Sequence, residues 1–145
     1  EFRRVLFRST IWEADDWELH FTSDSASGPL RMIAISPYHG QIALELARHP
    51  GGKLAEGKTI LTDYAIVTST IGAGRWQVVV EIPFDRLLHE PLAPGRNIYM
   101  NFFRAAHQNG EAQAWSPTFD ASFHIPWRLG KAFLEANSTE EKQKK

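Results

Sequence analysis

The stretch DYAIVTSTIGAGRWQVVVEI, residues 63–82, decides the fold class of this chain. Two runs with many β-branched residues, 63–70 and 75–82, flank the turn sequence IGAG at 71–74, a pattern that is typical of a β-hairpin. One face of the second run carries its large apolar side chains, Trp76, Val78, Val80 and Ile82. Pro83 follows and has no N–H to offer to a strand ladder, so we expect the hairpin to end there.

The same alternation of apolar and polar residues recurs on both sides of this hairpin. It predicts further strands over 17–22, 30–36, 41–47 and 96–106 and around Phe133, and one short helical turn over 84–89. We expect residues 49–57 to form a loop and residues 137–145 to form a disordered polar tail. Short strands without a long helix predict an all-β chain, folded as an antiparallel β-sandwich of the jelly-roll or immunoglobulin-like kind. Its first strands are expected to be missing, which would leave an open, aggregation-prone edge.

The first nine residues, EFRRVLFRS, are set apart from this fold. They resemble the in-frame translation of a common sequencing-library adapter, so we interpret 1–9 as a non-native scar fused to a domain that spans 10–136. The alternative is a native basic arm that contacts nucleic acid or membrane. Without this segment, 13 basic and 16 acidic residues remain of the 16 and 17 in the chain, and no basic patch indicates nucleic acid.

Composition and spacing exclude several kinds of site. The 145 residues include no cysteine, which excludes disulfides, thiolate nucleophiles and cysteine metal sites. No apolar run approaches the roughly 18 residues that a membrane-spanning helix needs, so we expect no membrane segment. The six histidines include no i, i+4 pair on a helix and no H-x-H on a strand, so the sequence does not indicate a zinc site.

The chain also lacks the usual marks of a catalytic site. There is no G-x-S-x-G motif, and the glycines at 72–74 belong to a hairpin turn, whereas a phosphate loop would lead into a helix. Glu18 and Glu81 would serve as a glycosidase carboxylate pair only if the fold brought them close together. We therefore predict a domain that is not an enzyme and that has no resident cofactor.

The stretch 101–130, NFFRAAHQNGEAQAWSPTFDASFHIPWRLG, interleaves aromatic rings with planar polar groups. Its candidate binding residues are Asn101, Arg104, Trp115, Phe123 and His124. Aromatic rings stack on apolar faces, while amide, guanidinium and imidazole groups form hydrogen bonds at polar edges. Because sugars are rings that combine such faces and edges, the stretch predicts a carbohydrate-binding surface.

Three residues nearer the start of the chain would complete such a surface. Trp12 lies in a loop beside carboxylates, where an indole exposes apolar area unless something covers it. Glu18 lies on the face of its strand opposite that of Trp17. We expect this carboxylate to face solvent and to accept hydrogen bonds from sugar hydroxyls. Arg31 emerges from an apolar strand and needs a carboxylate partner, for which Glu18 is the expected residue. The alternatives are that Trp12 packs over the core and that Glu18 is an ordinary solvated strand residue.

A series of motifs supports the same hypothesis. In chain order these are W-E-x-D-D-x-E-L-x-F from Trp12, an arginine-bearing strand, W-x-V-V-V-E-I-P-F-x-x-L from Trp76, N-F-F-R from Asn101, W-S-P from Trp115 and F-H-x-P-x-x-x-G from Phe123. In order and spacing they resemble the family 9 carbohydrate-binding module, over nearly the whole chain after Ser9. The family fold is a β-sandwich. The resemblance implies that two aromatic residues clamp a sugar ring.

The resemblance places one clamp at Trp12, and Glu18 and Arg31 at polar positions of the same site. The second clamp falls at Phe123-His124, where well-characterised sugar binders carry Trp. It implies a non-catalytic domain that binds a mono- or oligosaccharide and belongs to a secreted or periplasmic protein, with a fused catalytic domain as a further partner. Some family members bind calcium, but Asp15 and Asp16 alone are too few for the six to eight oxygens of such a site.

Two alternatives stay open. Related sandwich domains bind haem through axial Met, His or Lys, and Met32 and Met100 are the only methionines here. A ligand-free interaction domain would instead have Trp12 packed and unresponsive to sugars.

Overall fold

Antiparallel strands make up most of the structure, a computed structural model that describes residue 11 and the ranges 15–38, 40–49, 54–106, 110–120 and 123–135. The strands in this part of the chain are β1 (Asp16–Thr22), β2 (Leu30–Ile35), β3 (Gln41–Arg48), β4 (Leu54–Ile60), β5 (Ile66–Gly72), β6 (Arg75–Glu81), β7 (Asn97–Ala106), β8 (Glu111–Ala114) and β9 (Gly130–Phe133). The helical segments are α1 (Phe84–Leu87) and a 3₁₀ turn at Pro126–Arg128. None of the helices described is long and apolar enough to cross a membrane. The predicted all-β, antiparallel class is confirmed.

Two sheets form the fold. The larger sheet has the strand order β4-β3-β2-β1-β7-β8, and β9 also pairs with β7. β5 and β6 form a separate two-stranded sheet. The first predicted strand, β1, thus lies between β2 and β7 in the middle of the larger sheet. Among the described strands, β4 lies at one edge, and β8 and β9 lie at the other, both paired with β7.

β5 and β6 form the hairpin that the sequence predicts, in a register that pairs Gly72 with Arg75. Two residues connect them, Ala73 with φ of 50° and Gly74 with φ of 72°. Two positive φ values are the geometry of a type I′ turn, whose twist matches that of antiparallel strands. Gly74 adopts this conformation without strain, whereas Ala73 carries a Cβ into the left-handed region.

The hairpin packs against one face of the larger sheet, which we call the hairpin face. The side chains that meet there are Leu19, Ile33, Ile35 and Ala43 from the larger sheet and Val67, Trp76, Val78 and Val80 from the hairpin. Tyr64, buried just before β5, belongs to the same cluster and donates a hydrogen bond of 3.1 Å to the carbonyl of Leu87. Burial of this apolar surface holds the two layers together.

The opposite face is covered in part by the segment between β8 and β9, and we call it the loop face. The cross-strand register places Glu18, His20, Met32, Asn101 and Phe103 on this face. Phe103 is fully buried and packs with Leu129 and Phe123 of the covering segment. Ile11 packs against Met32 further along the same face.

Both faces of the larger sheet are therefore covered at β1, in contrast to the expected exposure of Glu18. Glu18 is only 3 % exposed and His20 is 0 % exposed, whereas Trp17 and Leu19 are partly exposed. The prediction that Glu18 faces solvent is wrong. A strand between two covered faces buries residues of either parity, so alternation along β1 does not separate core from surface.

Two strands are not predicted by the sequence. β4 begins inside the range 49–57, which was expected to form a loop, and β8 has the sequence EAQA, without a single β-branched or aromatic residue. Both become strands by pairing with a neighbour, β4 with β3 and β8 with β7. The predicted scar at 1–9 and the predicted tail at 137–145 lie outside the described residues.

Candidate functional site

A cleft opens on the hairpin face between β6 and the strands β1 and β7. Its volume is about 530 Å³, and its lining consists of Trp17, Leu19, Arg75, Trp76, Gln77, Val78, Val80 and Phe102. The hairpin packs over β2 and β3 through the cluster around Ile33 and Ile35. Trp17 and Phe102, on the neighbouring strands, keep part of their rings exposed. In this cleft, apolar side chains that pack between the two layers are partly exposed to solvent.

Hydrogen bonds position the polar and aromatic groups of this cleft. Trp76 Nε1 donates to Ser69 Oγ at 2.9 Å, which fixes the plane of the indole ring. Arg75 Nη2 donates to Gln77 Oε1 at 2.7 Å, and both residues are exposed. A guanidinium has five N–H donors and a glutamine amide has two, so this pair has further donors to offer a ligand.

The aromatic surface continues beyond the cleft. The ring of Phe102 lies 5.8 Å from that of Trp115, which is 55 % exposed. Gly130 packs directly against this indole. A Cβ at that position would lie only 2.3 Å from a ring carbon, so the close contact requires glycine. Trp17 pairs across the strands with Arg104, so their side chains share this face. Two of the predicted site residues, Arg104 and Trp115, therefore lie on the same face as the cleft.

A second group of polar side chains, the Glu18 cluster, lies on the loop face and consists of Glu18, His20 and His124. Glu18 Oε2 lies 2.9 Å from His20 Nε2 and 3.9 Å from His124 Nε2. The two imidazole rings stack with centroids 5.2 Å apart. β1 supplies the first two residues at i and i+2, and the segment after β8 supplies the third, whose neighbour Phe123 stacks on Phe103 at 4.5 Å.

Burial controls the charges in and beside the Glu18 cluster. Burial, followed by the neighbouring His20, lowers the pKa of His124, and the Glu18 carboxylate opposes this in part. Burial and the nearby Glu18 carboxylate raise the pKa of Asp16 to about 7. Among the residues described, none forms a hydrogen bond with Asp16 Oδ1 or His20 Nδ1. The ligand atoms of Glu18, His20 and His124 lie within 4.8 Å of one another, so these three side chains are a candidate set of metal ligands.

Arg31 has partners other than the expected one. Its Nε donates to Glu45 Oε2 at 2.8 Å, because the β2–β3 register places the two residues opposite each other. Its Nη1 also donates to the backbone carbonyls of Arg86 and Leu88. The predicted pair with Glu18 is wrong, since the Glu18 side chain lies on the other face of the sheet.

Glu45 is the acceptor at the centre of this arrangement. His89 Nδ1 lies 3.0 Å from both of its carboxylate oxygens. Burial alone would raise the pKa of Glu45, but hydrogen bonds from Arg31 and His89 outweigh that effect and lower the pKa below its ordinary value. The Arg31 guanidinium therefore joins β2 and β3 to α1 and to the residue that follows it.

Asn101 is fully buried and connects two of the sequence motifs. Its Nδ2 donates to the Ser116 carbonyl at 2.7 Å, and its Oδ1 accepts from the backbone N–H of Ser116 at 2.8 Å and of Phe102 at 3.0 Å. These bonds hold the W-S-P turn against the N-F-F-R strand. The structure thus gives the amide internal partners, in place of the sugar hydroxyls that the sequence suggests.

The predicted site residues do not form one site. Those on the hairpin face are Arg31, Arg104 and Trp115, and those on or over the loop face are Glu18, Asn101, Phe123 and His124. Trp12 lies outside the described residues. Trp17 and Trp76, which line the cleft, are not among the predicted site residues, because their positions in alternating strands are typical of core residues. A strand's own sequence does not show where the opposing layer ends.

The two faces of the larger sheet also bear on the haem hypothesis and on the glycosidase hypothesis. Met32 lies on the loop face and Met100 on the hairpin face, so these two methionines cannot be the axial ligands of one haem. Glu81 is exposed on the hairpin, whereas Glu18 is buried under the loop face, so the larger sheet separates the two carboxylates of the supposed glycosidase pair.

No protein-family model, curated protein or solved structure matches the chain. What the protein does must therefore be inferred from the chemistry of its cleft and of its Glu18 cluster.

Proposed function

We propose that this protein is a non-catalytic carbohydrate-binding domain that holds a mono- or oligosaccharide in the cleft on the hairpin face. One observation carries the proposal: the lining of the cleft includes two tryptophans and a phenylalanine together with an arginine and a glutamine. These residues are Trp17, Trp76, Phe102, Arg75 and Gln77. The motifs that resemble family 9 carbohydrate-binding modules support the same class of ligand at the level of sequence.

The residues of the cleft suit both the apolar face and the polar edge of a sugar ring. The C–H groups on a sugar's face pack against aromatic faces, with a gain of about 1 kcal/mol per ring beyond area burial. Its hydroxyls need donors and acceptors, and the lining includes Arg75 and Gln77, whose exposed side chains carry such groups. A volume of about 530 Å³ lies within the roughly 300–1,000 Å³ of small-molecule sites.

The extent of the aromatic surface favours more than one sugar unit. Trp115 continues the surface beside Phe102, outside the cleft itself. Aromatic area left in water is costly unless a ligand covers it. Because the cleft is open to water, we expect binding in the millimolar to micromolar range. A secreted or periplasmic setting, and a fused catalytic domain acting on the same glycan, are part of this proposal.

Isothermal titration calorimetry against a panel of oligosaccharides tests the proposal. Trp17→Ala and Arg75→Ala should each weaken binding, the first by about tenfold or more, since tenfold corresponds to roughly 1.4 kcal/mol. Trp127→Ala is the matched control, because this indole is 58 % exposed and lies outside the cleft. Absence of binding heat with every glycan would contradict the proposal.

A further variant decides where the sugar lies. If the clamp implied by the sequence motifs is correct, Trp12→Ala removes binding and Trp17→Ala leaves it unchanged. Binding in the cleft predicts the opposite ranking of these two variants. The calorimetric panel therefore separates the proposed ligand class from the proposed location.

A further inference from the structure

The Glu18 cluster lies on the face opposite the sugar cleft and is not used by the proposed function. Glu18, His20 and His124 each offer one ligand atom, and these atoms lie within 4.8 Å of one another. The two shortest separations from Glu18 Oε2 are 2.9 Å, to His20 Nε2, and 3.9 Å, to His124 Nε2. Two imidazoles and a carboxylate thus converge on one point from two distant segments of chain.

We propose that Glu18, His20 and His124 form a binding site for a divalent transition-metal ion of the zinc type. Zinc binds imidazole nitrogen and carboxylate oxygen at about 2.0–2.2 Å in tetrahedral geometry. Two tetrahedral ligands at that length lie about 3.4 Å apart. The separations in the cluster lie on both sides of this value, so modest side-chain rotations bring the three atoms into a coordination sphere.

The kinds of donor select the metal. Calcium and magnesium prefer all-oxygen surroundings, and calcium takes six to eight oxygens. Two nitrogens and one oxygen instead match zinc and the later first-row metals. The site therefore differs in its chemistry from a calcium site built on carboxylates.

The position of the ligands in the fold suits a preformed site. Glu18 and His20 project from the central strand β1, and the ring of Phe103 packs against His20 at 4.8 Å. The His124 side chain is 36 % exposed, which leaves a route from solvent. Three protein ligands is the number that leaves a fourth tetrahedral position for water or for another ligand.

The cluster is not a closed hydrogen-bonded network among the described residues. His20 is fully buried, yet no described group forms a hydrogen bond with its Nδ1. The other ring nitrogen, Nε2, faces Glu18 Oε2 at 2.9 Å and is the nitrogen that is placed to ligate an ion. A metal ion would also join β1 to the segment that carries Phe123 and His124, and so hold that segment on the sheet.

Zinc titration of the untagged protein tests the site. Calorimetry should show one Zn²⁺ per chain, and excess Zn²⁺ should raise the thermal midpoint by several degrees, because the ion binds only the folded state. CaCl₂ at the same concentration should give no such shift. His124→Ala and Glu18→Gln should weaken zinc binding by about 100-fold or more, since the loss of outer-sphere partners alone costs 10–100-fold.

His89→Gln is the matched control, because His89 is exposed and pairs with Glu45, away from the cluster. It should bind zinc as the unchanged protein does. Equal zinc affinity in His124→Ala and the unchanged protein would overturn the proposal, and so would the absence of zinc binding. Sugar binding by the same variants is a separate test, since Glu18, His20 and His124 are not among the residues that line the cleft.

A measurement on the unchanged protein avoids variants that fail to fold. Long-range ¹H–¹⁵N spectra resolve the ring nitrogens of individual histidines. Stoichiometric Zn²⁺ should shift the ring signals of His20 and His124 and leave those of His89 in place. Shifts confined to other histidines would exclude the site, whatever the variants do.

Discussion

At the scale of single residues, Arg31 shows what the sequence predicts and what it leaves open. An arginine in an apolar strand needs a carboxylate, and the structure supplies one. The partner is Glu45, which lies opposite on β3, and not Glu18, because strand register and face decide which residues meet. Asn101 is a similar case, since its polar side chain is used by the backbone of Ser116.

The Arg31–Glu45 pair leads to a prediction about stability and pH. Glu45→Gln keeps the shape of the side chain but removes the charge that balances Arg31, so we expect the free energy of unfolding to fall by about 2 kcal/mol at pH 7. The pKa of Glu45 is lowered in the folded state, so its contribution is present above the ordinary carboxyl pKa and is lost as pH falls through the folded value. Urea denaturation from pH 7 down to pH 3 measures the difference.

The control for this prediction is Glu81→Gln, which changes an exposed strand carboxylate. It should alter stability by less than about 0.5 kcal/mol. A difference between Glu45→Gln and the unchanged protein that stays constant down to pH 3 would show that the Glu45 charge does not stabilise the fold.

At the scale of elements, the hairpin β5–β6 is the most local part of the fold. Its strands are adjacent in sequence and their turn has two residues, so the information that specifies it lies within 63–82. β8 is the opposite case: its sequence EAQA has no strand preference, and it becomes a strand only because β7 offers a partner.

The type I′ turn of this hairpin gives a second prediction. Ala73→Asn should raise stability by about 0.5–1 kcal/mol, because Asn tolerates the left-handed conformation that Ala73 adopts. Gly74→Ala should lower stability by about 1–2 kcal/mol for the converse reason. The midpoints of urea denaturation give both values.

Gly72→Ala is the matched control for the turn. Gly72 ends β5, does not have positive φ, and an added Cβ would meet no atom within 4 Å. It should leave stability nearly unchanged. Equal losses in Gly72→Ala and Gly74→Ala would argue against the type I′ geometry.

At the scale of the whole molecule, the larger sheet divides the protein into two faces with different chemistry. The hairpin face carries aromatic and apolar groups around a cleft, and the loop face carries buried polar groups beneath a covering segment. The sequence predicts that Trp12, Glu18, Arg31 and the 101–130 stretch act together. The sheet separates the described members of that set, because neighbouring positions on one strand point to opposite faces.

Hydrogen exchange tests this central placement of the sheet. β1 pairs with β2 and β7 and is covered on both faces, so its amides should exchange slowest, at rates close to those of global unfolding. Amides of β8, an outermost strand, should exchange much faster. Similar protection of β1 and β8 in mass-resolved exchange would contradict the strand order.

The sequence by itself determined the all-β class, the β5–β6 hairpin and the short helical turn that follows it, because each depends on residues that are neighbours in the chain. Tertiary structure alone decided that Glu18 is buried, that Trp17 and Trp76 line a cleft and that His124 meets His20. Those outcomes depend on which layer covers which strand, and side chains far apart in sequence meet only when two layers close on one another.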